Sequence, residues 1–105
     1  MKKSIVKTKH KKVKRYIIRT YSAGVFAAEI ISRKGGEAEL KNARRLWSWQ
    51  GAASLSEMAV RGTSKPSQCK FPIIVPTQTV IGVIEVIPMT DEAWATIEAV
   101  PVWTV

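Results

Sequence analysis

What this chain lacks narrows its chemistry before any motif is read. In 105 residues there is one histidine, His10, and one cysteine, Cys69. A hydrolytic Ser/His/Asp arrangement needs a histidine, and a zinc site needs several histidine or cysteine ligands, so residues 16–105 cannot assemble either. A lone cysteine has no disulfide partner within the chain; with His10 in a different kind of segment, Cys69 reads as a small buried hydrophobe rather than a nucleophile. No apolar run approaches the roughly 20 residues of a membrane-spanning helix, and no basic start leads into an apolar signal segment. The six glycines form neither a phosphate loop nor a dinucleotide fingerprint, because GVFAAE and GGEAE lack the later glycines those turns require. The expectation is a soluble, intracellular, non-enzymatic protein with no metal and no cofactor.

Acidic residues are also few, eight against 17 lysines and arginines. Exposed strand faces or first helical turns account for most of them, and no pair has the spacing of a magnesium or glycosidase site. Glu85 stands apart because it interrupts an apolar run, and a buried carboxylate needs a cation such as Arg44 or Arg45; a structural ion pair is the favoured reading.

The formal charge of +9 is concentrated at the start of the chain. Residues 1–15, MKKSIVKTKHKKVKR, hold eight basic residues and no acid, which leaves nine basic against eight acidic in the remainder. A run of like charges repels itself, so residues 1–14 read as a flexible basic arm ahead of a single domain over 15–105. Lys9, Lys11, Lys12, Lys14 and Arg15 are its candidate contacts with nucleic acid, the alternative being a solubilising extension.

Along the body, RYIIRTY (15–21) and GVFAAEII (24–31) flank Ser22, Ala23 and Gly24 and predict a hairpin with a tight turn. After the RKGG turn, EAELKN (37–42) alternates strictly, with Glu37, Glu39 and Lys41 on one face and Ala38, Leu40 and Asn42 on the other, a half-exposed third strand. In GAASLSEMAVRG, the spacing of Ser54 and Glu57 predicts a capping box, Leu55, Met58 and Ala59 recur at helical spacing, and Gly62 is placed to stop the helix. FPIIV (71–75) predicts a strand. VIGVIEVI (80–87) is nearly continuous apolar and predicts a central strand covered on both faces. Thr90, Asp91 and Glu92 cap a second helix whose inner side carries Trp94 and Ile97. The fold class is α+β: an antiparallel sheet of about five strands, with two short helices on one side.

Two stretches hold candidate ligand contacts. In NARRLWSW (42–49), a continuing strand puts Arg45, Trp47 and Trp49 on one face and Arg44 and Leu46 on the other; a helix instead brings Arg44 to Trp47 and Arg45 to Trp49. Either way an arginine lies beside an indole, able to stack structurally or to clamp a base and a phosphate. In RTYSAGVF, Arg19, Tyr21 and Ser22 could offer a cation and hydroxyls to an anion, the alternative being a plain turn.

RTYSAGVF, NARRLWSW running into GAASLSEMAVRG, KPSQCKF and VIEVIPMT together resemble a family of small proteins of unknown function carried by tailed phages and prophages. The similarity covers about residues 16–105 and leaves the basic arm outside. It brings no catalytic residues. It implies a phage origin and a place in the host cytoplasm or the virion, with three roles open: a binding protein of host takeover or anti-defence, a nucleic-acid accessory, and a virion component whose arm touches nucleic acid or neighbouring subunits. The partner expected from the residues is an anionic ligand, a nucleotide or nucleic acid; homo-oligomerisation is open and no membrane contact is expected.

Overall fold

In the computed structural model, which describes residues 13–105, the chain makes a five-stranded antiparallel sheet: β1 Tyr16–Thr20, β2 Val25–Lys34, β3 Glu37–Arg45, β4 Val75–Ile81 and β5 Val83–Pro88. Two helices, α1 Leu55–Val60 and α2 Asp91–Glu98, complete the α+β fold. The sheet order is β4-β3-β2-β1-β5. Its two edge strands are therefore neighbours in the chain, with Gly82 alone between them. In a flat sheet they would lie about 19 Å apart at roughly 4.8 Å per strand, whereas one residue reaches only about 3.5 Å. The sheet must curl until its edges meet. At the meeting point the Tyr21 N–H donates to Gly82 O at 2.8 Å and the Val83 N–H to Gly36 O at 2.9 Å. Gly82 turns the chain from one edge to the other at φ 83°, a conformation that disfavours any residue with a Cβ.

Curling buries both faces of the sheet. Ile18, Phe26, Ala28, Ala38, Leu40, Ala43, Val80 and Val83 fill its interior. On the other face Ile17, Ala27 and Leu46 pack with Met58 and Ala59 of α1, Trp94 and Ile97 of α2, and Cys69 and Phe71 of the intervening loop. β1 and β2 are thus the strands covered on both sides. Each large side chain buried this way contributes about 1.5–3 kcal/mol.

The helices form where the caps predict. Ser54 Oγ accepts from the Glu57 N–H and Thr90 Oγ1 from the Ala93 N–H. Glu57 reaches back to the Ala53 N–H at 2.7 Å, and Gly62 closes α1 by donating to the Glu57 and Met58 carbonyls. The Thr90 N–H and hydroxyl bind the Ala59 and Val60 carbonyls, so the start of α2 is fastened to the end of α1.

Three sequence expectations are corrected. VIGVIEVI is not a central strand: Gly82 splits it between the two edges, and Ile81 and Ile84 are exposed. FPIIV is not a strand. Phe71 makes one isolated bridge to Val102 and β4 begins at Val75, because proline at 72 removes a ladder donor and the carbonyls of 71 and 72 are committed elsewhere. The strict alternation of EAELKN also ends early. Between the pairs Glu29↔Lys41 and Ala27↔Arg44, β3 carries one residue more than β2, and Asn42 adopts φ 52°. This bulge shifts the phase of the strand: Ala38 and Leu40 face the interior, and Ala43 takes the position that Asn42 would have held. Arg44 and Leu46 are thereby turned toward the helices, and Asn42 donates to Glu29 Oε2 at 3.0 Å.

The bulge is testable. Asn42→Gly keeps the left-handed backbone and loses only the bond to Glu29, so we expect a cost below about 1 kcal/mol in urea unfolding. Asn42→Val resists that backbone and should cost about 2 kcal/mol or more.

Candidate ligand-binding face

The two arginines of NARRLWSW part company at the bulge. Arg44 is 2% exposed. Its Nε donates to Pro72 O at 3.0 Å, Nη1 to Ile97 O at 2.8 Å, and Nη2 to Phe71 O at 3.1 Å and Val100 O at 2.7 Å. Four of its five N–H groups are thus spent on backbone carbonyls, two of them at the C-terminal end of α2, where the helix dipole favours a cation. Burial pushes its pKa below the ordinary arginine value. The guanidinium therefore clamps β3, the 71–72 segment and the end of α2 together, and the candidate ligand contact at Arg44 lies inside the fold.

Nor does Glu85 answer Arg44 or Arg45. It stands opposite Arg19 in the β1–β5 register and accepts from Arg19 Nε at 3.0 Å, with the two side chains 46% and 44% exposed. Both ends are wet, so the pair contributes at most about 1 kcal/mol. The expected buried ion pair is an exposed one, and Arg19 is engaged away from the other candidates. Tyr21, 84% exposed, lies beside Gly82 at the strand junction. RTYSAGVF thus folds as a turn, fastened by the Ala23 N–H on Thr20 Oγ1, and of its three candidates only Ser22 reaches the second stretch.

That meeting makes a groove of about 320 Å³ lined by Ser22 to Val25 on one side and by Arg45, Leu46, Trp47 and Trp49 on the other. Arg45 lies over the face of Phe26 at 4.6 Å and gives one N–H to Ala23 O at 3.3 Å. Its remaining donors point to no protein acceptor among the described residues. Trp49 is half-buried against the helix-side core, so it serves as wall and anchor together.

The extended chain continues past β3, and Ser48 pairs with Lys70. Trp47 is 62% exposed, an unusual state for an indole. Trp103 stacks on it with centroids 6.2 Å apart and planes 11° from parallel, held by the Phe71–Val102 bridge and the Trp103 N–H on Phe71 O. Lys70 Nζ lies 5.8 Å from the centre of the Trp103 ring. Arg45, Trp47, Trp103 and Lys70 form one face, and neither the groove lining nor this row carries an acidic side chain. Sequence reading missed Lys70 and Trp103. The signal was thin: a cation beside Phe71 in CKF and an indole in VPVWTV, neither near NARRLWSW in the chain.

Of the arm candidates, Lys9, Lys11 and Lys12 lie outside the described residues. Lys14 is exposed, and Arg15 is half-buried with its guanidinium 4.3 Å over the Trp94 ring and its backbone carbonyl accepting from the Met89 N–H. Both line an open hollow of about 490 Å³ that also includes Tyr16, Met89 and Asp91. Cys69 is buried, as expected, its sulfur 3.5 Å from Thr63 Oγ1 and two carbonyls. Among the described residues no group of His, Cys, Asp and Glu could hold a metal, and no helix is long and apolar enough to cross a membrane.

A family model covers residues 13–97, the whole sheet and nearly all of both helices. The chain belongs to the family described as Domain of unknown function (DUF6948). No curated protein and no solved structure matches it. Within the DUF6948 stretch lie Arg44, Arg45, Trp47, Trp49 and Lys70, whereas Trp103 lies beyond its end. The match starts at 13, so residues 1–12 fall outside it.

The division between the two arginines predicts opposite variants. Arg44→Lys should cost about 3 kcal/mol or more, because one ammonium cannot serve four carbonyls in a fork and leaves buried acceptors unpaired. Glu85→Gln should cost less than about 1 kcal/mol. Chemical denaturation of both variants against the parent makes the comparison.

Proposed function

We propose that this DUF6948 protein is a non-enzymatic binder of a nucleotide-type anion, free or within nucleic acid. The observation that carries the reading is Trp47: an open indole that lines one groove with the cation two residues before it, Arg45, and stacks on a second indole, Trp103, beside Lys70. A base is planar and apolar on its faces and a phosphate is anionic. An exposed ring flanked by donors without acidic neighbours suits both parts of such a ligand, with stacking contributing about 1–3 kcal/mol per base. The absence of histidine from residues 16–105 favours binding over catalysis. The setting, a phage-infected host or the virion, rests on the resemblance of RTYSAGVF, NARRLWSW and VIEVIPMT to proteins carried by tailed phages.

Arg45→Met separates the charge from the packing, since a methionine stem still covers Phe26. We expect it to keep stability within about 1 kcal/mol of the parent, a melting change of no more than roughly 8 °C, and to lose the ligand. The measurement is mass spectrometry of phosphorus-containing molecules and nucleic acid carried through purification, with thermal-shift titration of mono- and oligonucleotides. A parent that carries none and responds to none would sink the reading, as would an Arg45→Met protein that retains its ligand in full.

A further inference from the structure

We infer that the form of ligand this face takes is single-stranded nucleic acid, an inference that rests on the binding reading above and names its ligand class. The site is a face and not an enclosure. Its one depression, the groove of about 320 Å³ beside Arg45, has Trp47 in its wall with 62% of that residue in solvent. Small-molecule sites shelter most of their ligand's surface, and a free nucleotide here would be covered on one side only.

The order of the groups is the second consideration. Arg45 and Trp47 are two residues apart on an extended segment, so they project to the same side. Trp103 continues the stack from Trp47 at 6.2 Å, and Lys70, paired through its backbone with Ser48, sits 5.8 Å from Trp103. The row reads cation, indole, indole, cation. A mononucleotide has one base and one phosphate group, so it engages one end and leaves the other idle. A strand of a few nucleotides presents bases and phosphates in alternation and engages both ends together, which raises affinity with length until the row is filled.

Duplex is disfavoured by the same geometry. In a duplex the base faces are stacked on one another and unavailable to an indole, so only the two cations would contribute. Base edges would find few partners here. With Arg45 and Lys70 assigned to phosphates, the groove and row leave the Ser22 hydroxyl and the indole N–H groups and no amide side chain for base edges, so stacking with little edge reading predicts tolerance of sequence.

The test uses the full chain, and because the basic arm adds a salt-dependent contribution that grows with the ligand's charge, each ligand is read as the ratio of parent to variant affinity, in which that contribution cancels. Tryptophan fluorescence is titrated at fixed ionic strength with thymidine monophosphate, with oligothymidylates of two to about twelve nucleotides, and with a duplex of about twelve base pairs. We expect quenching, affinity that climbs over the first few nucleotides and then levels, and a parent-to-Trp47→Ala affinity ratio that is large for single strands and near one for the duplex. Trp47→Ala should reduce oligonucleotide affinity at least about fivefold and remove part of the quenching, with circular dichroism and melting near those of the parent. Lys70→Ala should flatten the rise with length, lowering affinity for the longer strands by a larger factor than affinity for the monophosphate. If the monophosphate binds as tightly as the longest strand, the polymer inference is overturned and the binding reading stands. If Trp47→Ala weakens duplex binding as much as single-strand binding, or binds single strand like the parent, the face does not select single strands and the polymer inference is again overturned. Failure of every ligand to bind removes both.

Discussion

A single residue between the two edges of a five-stranded sheet is the constraint on which the rest of this structure depends. Because β4 and β5 are joined by Gly82, the sheet cannot lie flat, and curling gives it an interior that side chains must fill. It also brings the loop between β3 and β4, with both helices, onto one outer face. Register irregularities at Arg19/Thr20, at Ile31 and at Asn42 supply the local bending that curling requires. The two hydrophobic clusters are the two sides of one bent layer, which is why Ile17 and Ile18, adjacent in the chain, are both fully buried.

The bulge at Asn42 converts that constraint into a division of labour. One extra residue decides which of two adjacent arginines enters the fold. Arg44 turns to the helix side and donates to four carbonyls: two from the stretch where Pro72 interrupts strand pairing, and two where α2 ends without a glycine cap. Arg45 stays at the rim over Phe26 with donors to spare. The cation that looked costly beside a core is accommodated by backbone oxygens instead of a carboxylate, and the acidic residue expected to answer it pairs at the surface with Arg19.

How much of this was legible beforehand follows from the range of each signal. Caps, glycine stops and helical periodicity act within four residues, and Ser54, Thr90 and Gly62 read correctly. The hairpin of β1 and β2 also followed from local pattern, whereas the count of five strands agrees because the split of 80–87 into two offsets the loss of 71–75. The apolar run at 80–87 misled because periodicity cannot tell a strand covered on both faces from one that changes sides at a glycine. Asn42 looked like the next inward position of an alternating strand, since nothing local announces an inserted residue. At the candidate face, Arg45, Trp47 and Trp49 were readable as neighbours in sequence, and Ser22 as a turn residue. Lys70 and Trp103 were not, because they arrive through the Ser48–Lys70 and Phe71–Val102 bridges, which are tertiary facts.

The strands at the margins of the sheet carry a consequence for assembly. β4 has Pro76 near its start and β5 ends at Pro88, and each is only seven or six residues long. Proline withholds the donor that an incoming strand would need, and short, bent margins make poor templates. A second copy of this chain, or an extended peptide, therefore finds little backbone to zip onto. Association through side chains does not meet that obstacle, and such margins guard against the runaway strand addition that threatens open sheets.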